Sequence, residues 1–127
     1  MIQGIHHIAI ICTNYEVSRR FYTEILGFEI IAEHFREERN SWKLDLALNG
    51  NYLLELFSFP NVPERISHPE AAGLRHLAFA VQNLELEVER LKHLKVFTEE
   101  IRHDALTGKP FTFFKDPDGL PIELYEM

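Results

Sequence analysis

Two stretches of the chain are copies of each other. Gly4-Ile5-His6-His7-Ile8-Ala9-Ile10 reads as Gly-x-x-His-apolar-Ala-apolar, and Gly73-Leu74-Arg75-His76-Leu77-Ala78-Phe79 reads the same way. An asparagine follows each histidine after seven residues, Asn14 after His7 and Asn83 after His76. A glutamate inside an apolar run follows after 48 residues in the first copy (Glu55) and 47 in the second (Glu123). A unit of roughly 70 residues is therefore duplicated, and each copy supplies one His and one Glu. Such a chain is expected to fold as two similar halves.

The first copy reads as strand, helix and three strands. In a strand over 7–12, His7, Ala9 and Ile11 share one face, and Ile8, Ile10 and Cys12 share the other. His6 then points away from His7, as a structural residue. Thr13-x-x-Glu16 has the form of a capping box. Tyr15, Val17, Phe21, Tyr22 and Ile25 form the stripe of the helix that follows, closed by Gly27. Strands are expected over 28–34, 41–48 and 52–59, the last two joined by the hairpin turn Asn49-Gly50.

Residues 60–72 contain three of the six prolines and no periodic pattern, and read as a linker. Module 1 thus spans 1–59 and module 2 spans 73–127, within a single domain. The second copy repeats the plan. A strand runs over 74–81, and Asn83 caps a helix with stripe Leu84, Val88, Leu91 and Leu94. A weaker strand over 96–102 precedes a hairpin of 111–114 and 120–125 around Asp116-Pro117-Asp118-Gly119. By the same alternation Glu55 shares its face with Leu53 and Phe57, and Glu123 with Pro121 and Tyr125. The opposite faces are apolar, fit to lie under a helix.

The net charge of -7 argues against nucleic acid or an anionic membrane surface as partner. One cysteine, Cys12, excludes an internal disulfide and suits a reducing compartment. With no secretory signal pattern and no apolar run of membrane length, a cytoplasmic location is expected.

His7, Glu55, His76 and Glu123 together make two imidazoles and two carboxylates. That set suits an octahedral divalent metal with open water positions, into which a substrate oxygen can move. Nickel, cobalt, zinc, manganese and iron all tolerate it. Taken singly, each residue has a bland reading as packing or a solvated side chain. Their recurrence at matched positions in apolar strands, where a buried carboxylate needs a cation, favours the metal. Arg19, Lys43, Arg75 and Lys109 are candidate cations for an anionic substrate group. Lys109 and Arg75 are carried forward as substrate-binding candidates. His34, His68, His93 and His103 have no matched counterpart and read as surface or loop residues. Cys12 reads as core, and Trp42 either walls a cavity or packs.

The paired units resemble the βαβββ modules of the vicinal oxygen chelate superfamily over essentially the whole chain. Phe21-Tyr22-x-x-x-Leu26-Gly27-Phe28 and Asp116-Pro117-Asp118-Gly119-x-x-Ile122-Glu123-Leu124 are similar to runs common in that superfamily. His7, Glu55, His76 and Glu123 fall where glyoxalase I enzymes place their metal ligands. The segments 68–76 and 107–114 resemble a bacterial glyoxalase-like branch. The resemblance implies an α+β fold of two tandem βαβββ modules whose curved mixed sheets surround a metal site. It also implies a homodimer and a glyoxalase I-like isomerase or lyase acting on a small α-oxo or hemithioacetal substrate. Proton transfer through an enediolate would then fall to Glu123, with Glu55 as the alternative. A thiol transferase, a dioxygenase and a non-catalytic small-molecule-binding protein are the alternatives in function. A carboxylate at Glu55 favours the glyoxalase type.

Overall fold

The computed structural model describes all of residues 1–127 and separates into two units, Met1–Glu64 and Arg65–Met127. The first unit consists of β1 (Ile8–Cys12), α1 (Tyr15–Arg20), β2 (Glu29–Arg36), β3 (Ser41–Leu48) and β4 (Asn51–Ser58). Its sheet has the order β1-β4-β3-β2, with β1 parallel to β4 and the other pairs antiparallel. The second unit consists of β5 (Leu77–Val81), α2 (Leu84–His93), β6 (Arg102–His103), β7 (Pro110–Lys115) and β8 (Pro121–Glu126). Its sheet repeats the order as β5-β8-β7-β6, with β5 parallel to β8. Two mixed four-stranded sheets with few helices make the expected α+β fold of two tandem βαβββ modules.

In the first unit Leu44, Leu46, Leu54 and Leu56 of the two central strands are fully buried, as is Tyr22 from the turn that extends α1. Each such side chain removed from water contributes roughly 1.5–3 kcal/mol. After Arg20 the helix widens into a π turn, Phe21–Ile25, which lets the consecutive Phe21 and Tyr22 both enter the core. Gly27, at φ +80°, stops it, and Phe28 N donates back to Tyr22 O at 2.9 Å. Asn49 and Gly50 both take positive φ, as a two-residue hairpin matched to the strand twist requires. In the second unit Leu84 and Leu91 from α2 are buried along with Ile122 and Leu124 of β8.

Several expectations need correction. The first helix is capped by Asn14, whose Oδ1 accepts from Val17 N at 3.3 Å, and not by Thr13. Asn83 caps the second as expected, accepting from Leu86 N at 3.0 Å. Val17 and Leu94 are exposed, so both helical stripes are narrower than their apolar spacing suggests. Of the weak strand over 96–102 only the end survives, as β6. Upstream of it, Glu99 N donates to Phe113 O and the Thr112 hydroxyl donates to Glu99 O, so a side chain takes the place of a ladder bond. Trp42 packs: its ring stacks 5.1 Å from Tyr15 at 2° and leans on Phe35, on the helix-covered side.

Candidate functional site

Strand register explains where the repeated residues go. Ala9 on β1 pairs with Glu55 on β4, and Ala78 on β5 pairs with Glu123 on β8. In each sheet the smallest chiral side chain thus stands beside the glutamate. The histidine lies two residues earlier, just ahead of the strand. A methyl group leaves the space through which the imidazole reaches the carboxylate. His7 Nε2 is 3.8 Å from Glu55 Oε1, and His76 Nε2 is 3.1 Å from Glu123 Oε2. Both glutamate side chains are largely withdrawn from water, at 11% and 14% exposure, while the imidazoles keep about a third.

The first pair is braced by polar neighbours. Tyr52 Oη donates to Glu55 Oε2 at 2.9 Å and lies 3.0 Å from Asp45 Oδ1, so one proton serves two carboxylates. Lys43 Nζ sits between the same two acids, 2.8 and 2.9 Å from the Asp45 oxygens and 3.3 Å from Glu55 Oε2. The hydrogen bond to Asp45 raises the Lys43 pKa most, and Glu55 adds to it. Burial is the main cause of the rise in the Tyr52 pKa, with both carboxylates reinforcing it. The His7 ring stacks on Tyr52 at 5.2 Å and 4°. Its Nδ1 lies 2.8 Å from His6 Nδ1, a hydrogen bond in which one ring must donate. With His7 as donor, its Nε2 lone pair is left facing Glu55.

His6 therefore touches His7 instead of pointing away. Both precede the first residue of β1, so strand alternation does not govern them. Tyr52 also escaped the sequence pattern. A register slip between Leu46 and Ala47 pairs Ala47 with Tyr52, bringing Tyr52 in place of Leu53 to the Glu55 side. Asp45 was detectable in principle, as a charged residue between the apolar Leu44 and Leu46 opposite Glu55.

The second pair has a different setting. Phe113 stands across from Glu123, where Asp45 stands across from Glu55, and its ring meets His76 edge-on at 5.1 Å. Phe111 takes the place of Lys43, since these pair with Tyr125 and Phe57 respectively. The one polar side chain against Glu123 is His76. Among the candidate cations, Arg75 is exposed and paired with Glu70 at 2.9 Å. Lys109 is exposed on the loop where its backbone N–H donates to Thr107 Oγ1. Arg19 is paired with Glu33 at 2.8 Å.

Each unit therefore presents one imidazole nitrogen and one carboxylate oxygen on one sheet face. Two ligands bound at about 2.1 Å and at right angles lie roughly 3 Å apart. The second pair already has that spacing, and the first needs a small side-chain adjustment. The donors fit a borderline or hard divalent ion. The chain gathers no group of three or more His, Cys, Asp or Glu side chains suited to a metal; each unit brings together one His–Glu pair.

Comparison with known proteins agrees with this architecture. Residues 4–124 match the Glyoxalase/Bleomycin resistance protein/Dioxygenase superfamily. YwkD of Bacillus subtilis (strain 168) is 61% identical over 99% of this chain and 98% of its own length. The crystal structure of a glyoxalase family protein from Enterococcus faecalis is 49% identical, covers 98% of both chains and superposes with a TM-score of 0.91. The metallothiol transferase FosB of Staphylococcus haemolyticus (strain JCSC1435) is 30% identical over 98% of this chain and 84% of its own. No helix is long and apolar enough to cross a membrane. By its sequence, its paired modules and its place among these relatives, the chain belongs to the Glyoxalase/Bleomycin resistance protein/Dioxygenase superfamily.

Proposed function

We propose that His7, Glu55, His76 and Glu123 hold one divalent metal per four-residue set. The protein on this reading is a metal-dependent isomerase or lyase of glyoxalase I type, working as a homodimer. One observation carries the reading. Each unit aims a histidine Nε2 at a glutamate carboxylate, from matched positions on matched strands. A divalent metal bound there, such as nickel, cobalt, zinc, manganese or iron, supplies Lewis acidity toward the adjacent oxygens of a small α-oxo or hemithioacetal substrate.

What remains is a proton transfer between neighbouring carbons, and this falls to a glutamate. Glu123 is the better base because its carboxylate meets only the His76 imidazole and is free to swing. Glu55 is tethered at Oε2 by Tyr52 and Lys43, which suits a fixed ligand. Glu123 takes the proton from one carbon and returns it to the next, while the hydroxyl proton passes from one adjacent oxygen to the other, so the isomerisation needs no redox partner. Arg75 and Lys109 are the second unit's candidate contacts to the substrate.

The test is metal analysis of freshly purified protein, followed by turnover of methylglyoxal with glutathione. The expected result is about one metal per chain, as four ligands per site require. Glu123→Gln should lower kcat by about 10²-fold or more, the usual worth of a positioned base. Bound metal without turnover rejects this substrate, and protein that takes up no divalent metal rejects the whole reading. The similarity to FosB supports a second reading, thiol transfer, which a covalent thiol adduct seen by mass spectrometry would establish.

A further inference from the structure

Arg36 ends β2 on the face that carries Glu55. It pairs with Ser41 of β3, and along that strand Lys43 and then Asp45, the partner of Glu55, follow on the same face. The Arg36 guanidinium lies 4.8 Å over the Phe57 ring and 5.9 Å from that of Phe59. One terminal nitrogen donates to Ser41 Oγ at 3.0 Å, and Nε is sealed from water with no hydrogen-bond partner. Phe57 and Phe59 stack 5.8 Å apart at 16°, and Arg39 covers Phe59 at 5.2 Å. Two guanidinium groups thus share one aromatic pair. Neither has a carboxylate partner, although Arg19, Lys43, Arg75, Arg90 and Arg102 each have one.

In a chain of net charge -7, two clustered cations left without carboxylates leave room for an anion from outside. Stacking on a ring fixes the guanidinium plane without neutralising it, which preserves the forked geometry that grips carboxylate or phosphate oxygens. At a strand rise of about 3.3 Å per residue, Phe57 lies ~7 Å and Phe59 ~13 Å along the chain from Glu55.

We propose that Arg36 and Arg39, seated on Phe57 and Phe59, form an oxyanion subsite for the tail of the substrate. The substrate is then an α-oxo compound or thiol adduct with a carboxylate or phosphate about 7–13 Å from its reacting carbons. This rests on the reading of the His7–Glu55 face as the substrate face. Methylglyoxal itself is uncharged and too short to span that distance, so only an anionic adduct of it fits.

Calorimetric titration of the full chain with 2-oxosuberate, its terminal monomethyl ester and the terminal phosphonate analogue tests the proposal. The diacid should bind about tenfold or more tightly than the ester, as a charge-assisted pair requires. The phosphonate shows which oxyanion is preferred. Arg36→Met keeps the aliphatic stem over Phe57 and should reduce the diacid to the level of the ester, with ester binding unchanged. Arg36→Lys should recover part of the difference. Arg39→Met, on an exposed turn, reads the same difference should Arg36→Met fail to fold. Equal binding of diacid and ester by the wild type, or a difference that survives both methionine variants, overturns the subsite. Metal content measured on the same samples separates the two readings. Metal without a diacid preference rejects the subsite alone, and a diacid preference lost in Arg36→Met without metal supports it while rejecting the metal centre.

Discussion

The Tyr15 hydroxyl donates to Glu33, and Arg19 Nε donates to the same carboxylate at 2.8 Å, tying α1 to β2. Burial pushes the Tyr15 phenol up from its ordinary value of 10.0, and the Glu33 carboxylate reinforces the shift. The hydrogen bond from Arg19 first, and that from Tyr15 next, hold Glu33 below the usual carboxylate range. The signs follow by linkage. Stability from Tyr15 is present below pH 10.0, where the unfolded phenol still keeps its proton, and is lost as pH climbs above it. Stability from Glu33 is present above the unfolded carboxylate value and is lost as pH falls through the depressed one. Thermal melts should therefore show the midpoint falling at alkaline pH. Tyr15→Phe should flatten that fall, at a cost near neutrality of about 1 kcal/mol for the lost hydrogen bond.

At the scale of elements, the register that sets an alanine beside each glutamate governs the site. Ala78→Leu should keep the strand pairing, because leucine fits a pleated face, yet fill the space between His76 and Glu123. The expected outcome is an unchanged circular dichroism spectrum with metal uptake lost in calorimetry. Asn83→Ala removes the cap from α2 and should cost about 1 kcal/mol in urea unfolding. These elements were legible in the sequence wherever one local rule acts alone. The Asn49-Gly50 hairpin, the Asn83 cap and the Asp-Pro-Asp-Gly turn all formed. In that turn Asp116 Oδ1 accepts from Asp118 N and Leu120 N, both at 2.9 Å. Period two failed where the strand was interrupted or not yet begun. The register slip turned Tyr52 toward Glu55, and His6 lies ahead of β1. The aromatic and arginine contacts around Phe57 were illegible for another reason: they join strands and turns whose pairing no local pattern reveals.

At the scale of the molecule, duplication provides two His–Glu pairs per chain, each half of a proposed ligand set, and the proposed homodimer can be tested through that arithmetic. His7→Ala spoils the first half-site of a chain, and His76→Ala spoils the second. If each ligand set combines the first half of one protomer with the second half of its partner, a mixed dimer of the two variants contains one set with all four ligands. Neither variant alone contains any. Metal uptake recovered on mixing and refolding the two variants is the expected result, measured against each variant by itself. If each set lies within one chain, mixing restores nothing. Leu54→Ala and Ile122→Ala, each in the core of its own unit, should both destabilise the chain, by about 2–5 kcal/mol. Asp45 across from Glu55, and Phe113 across from Glu123, show that the copies have diverged beyond interchange. If the proposed proton transfer holds, its consequence is chirality in the product: with one carboxylate alone at liberty to carry hydrogen, a prochiral carbon is approached from a single side, and one enantiomer is the expected product.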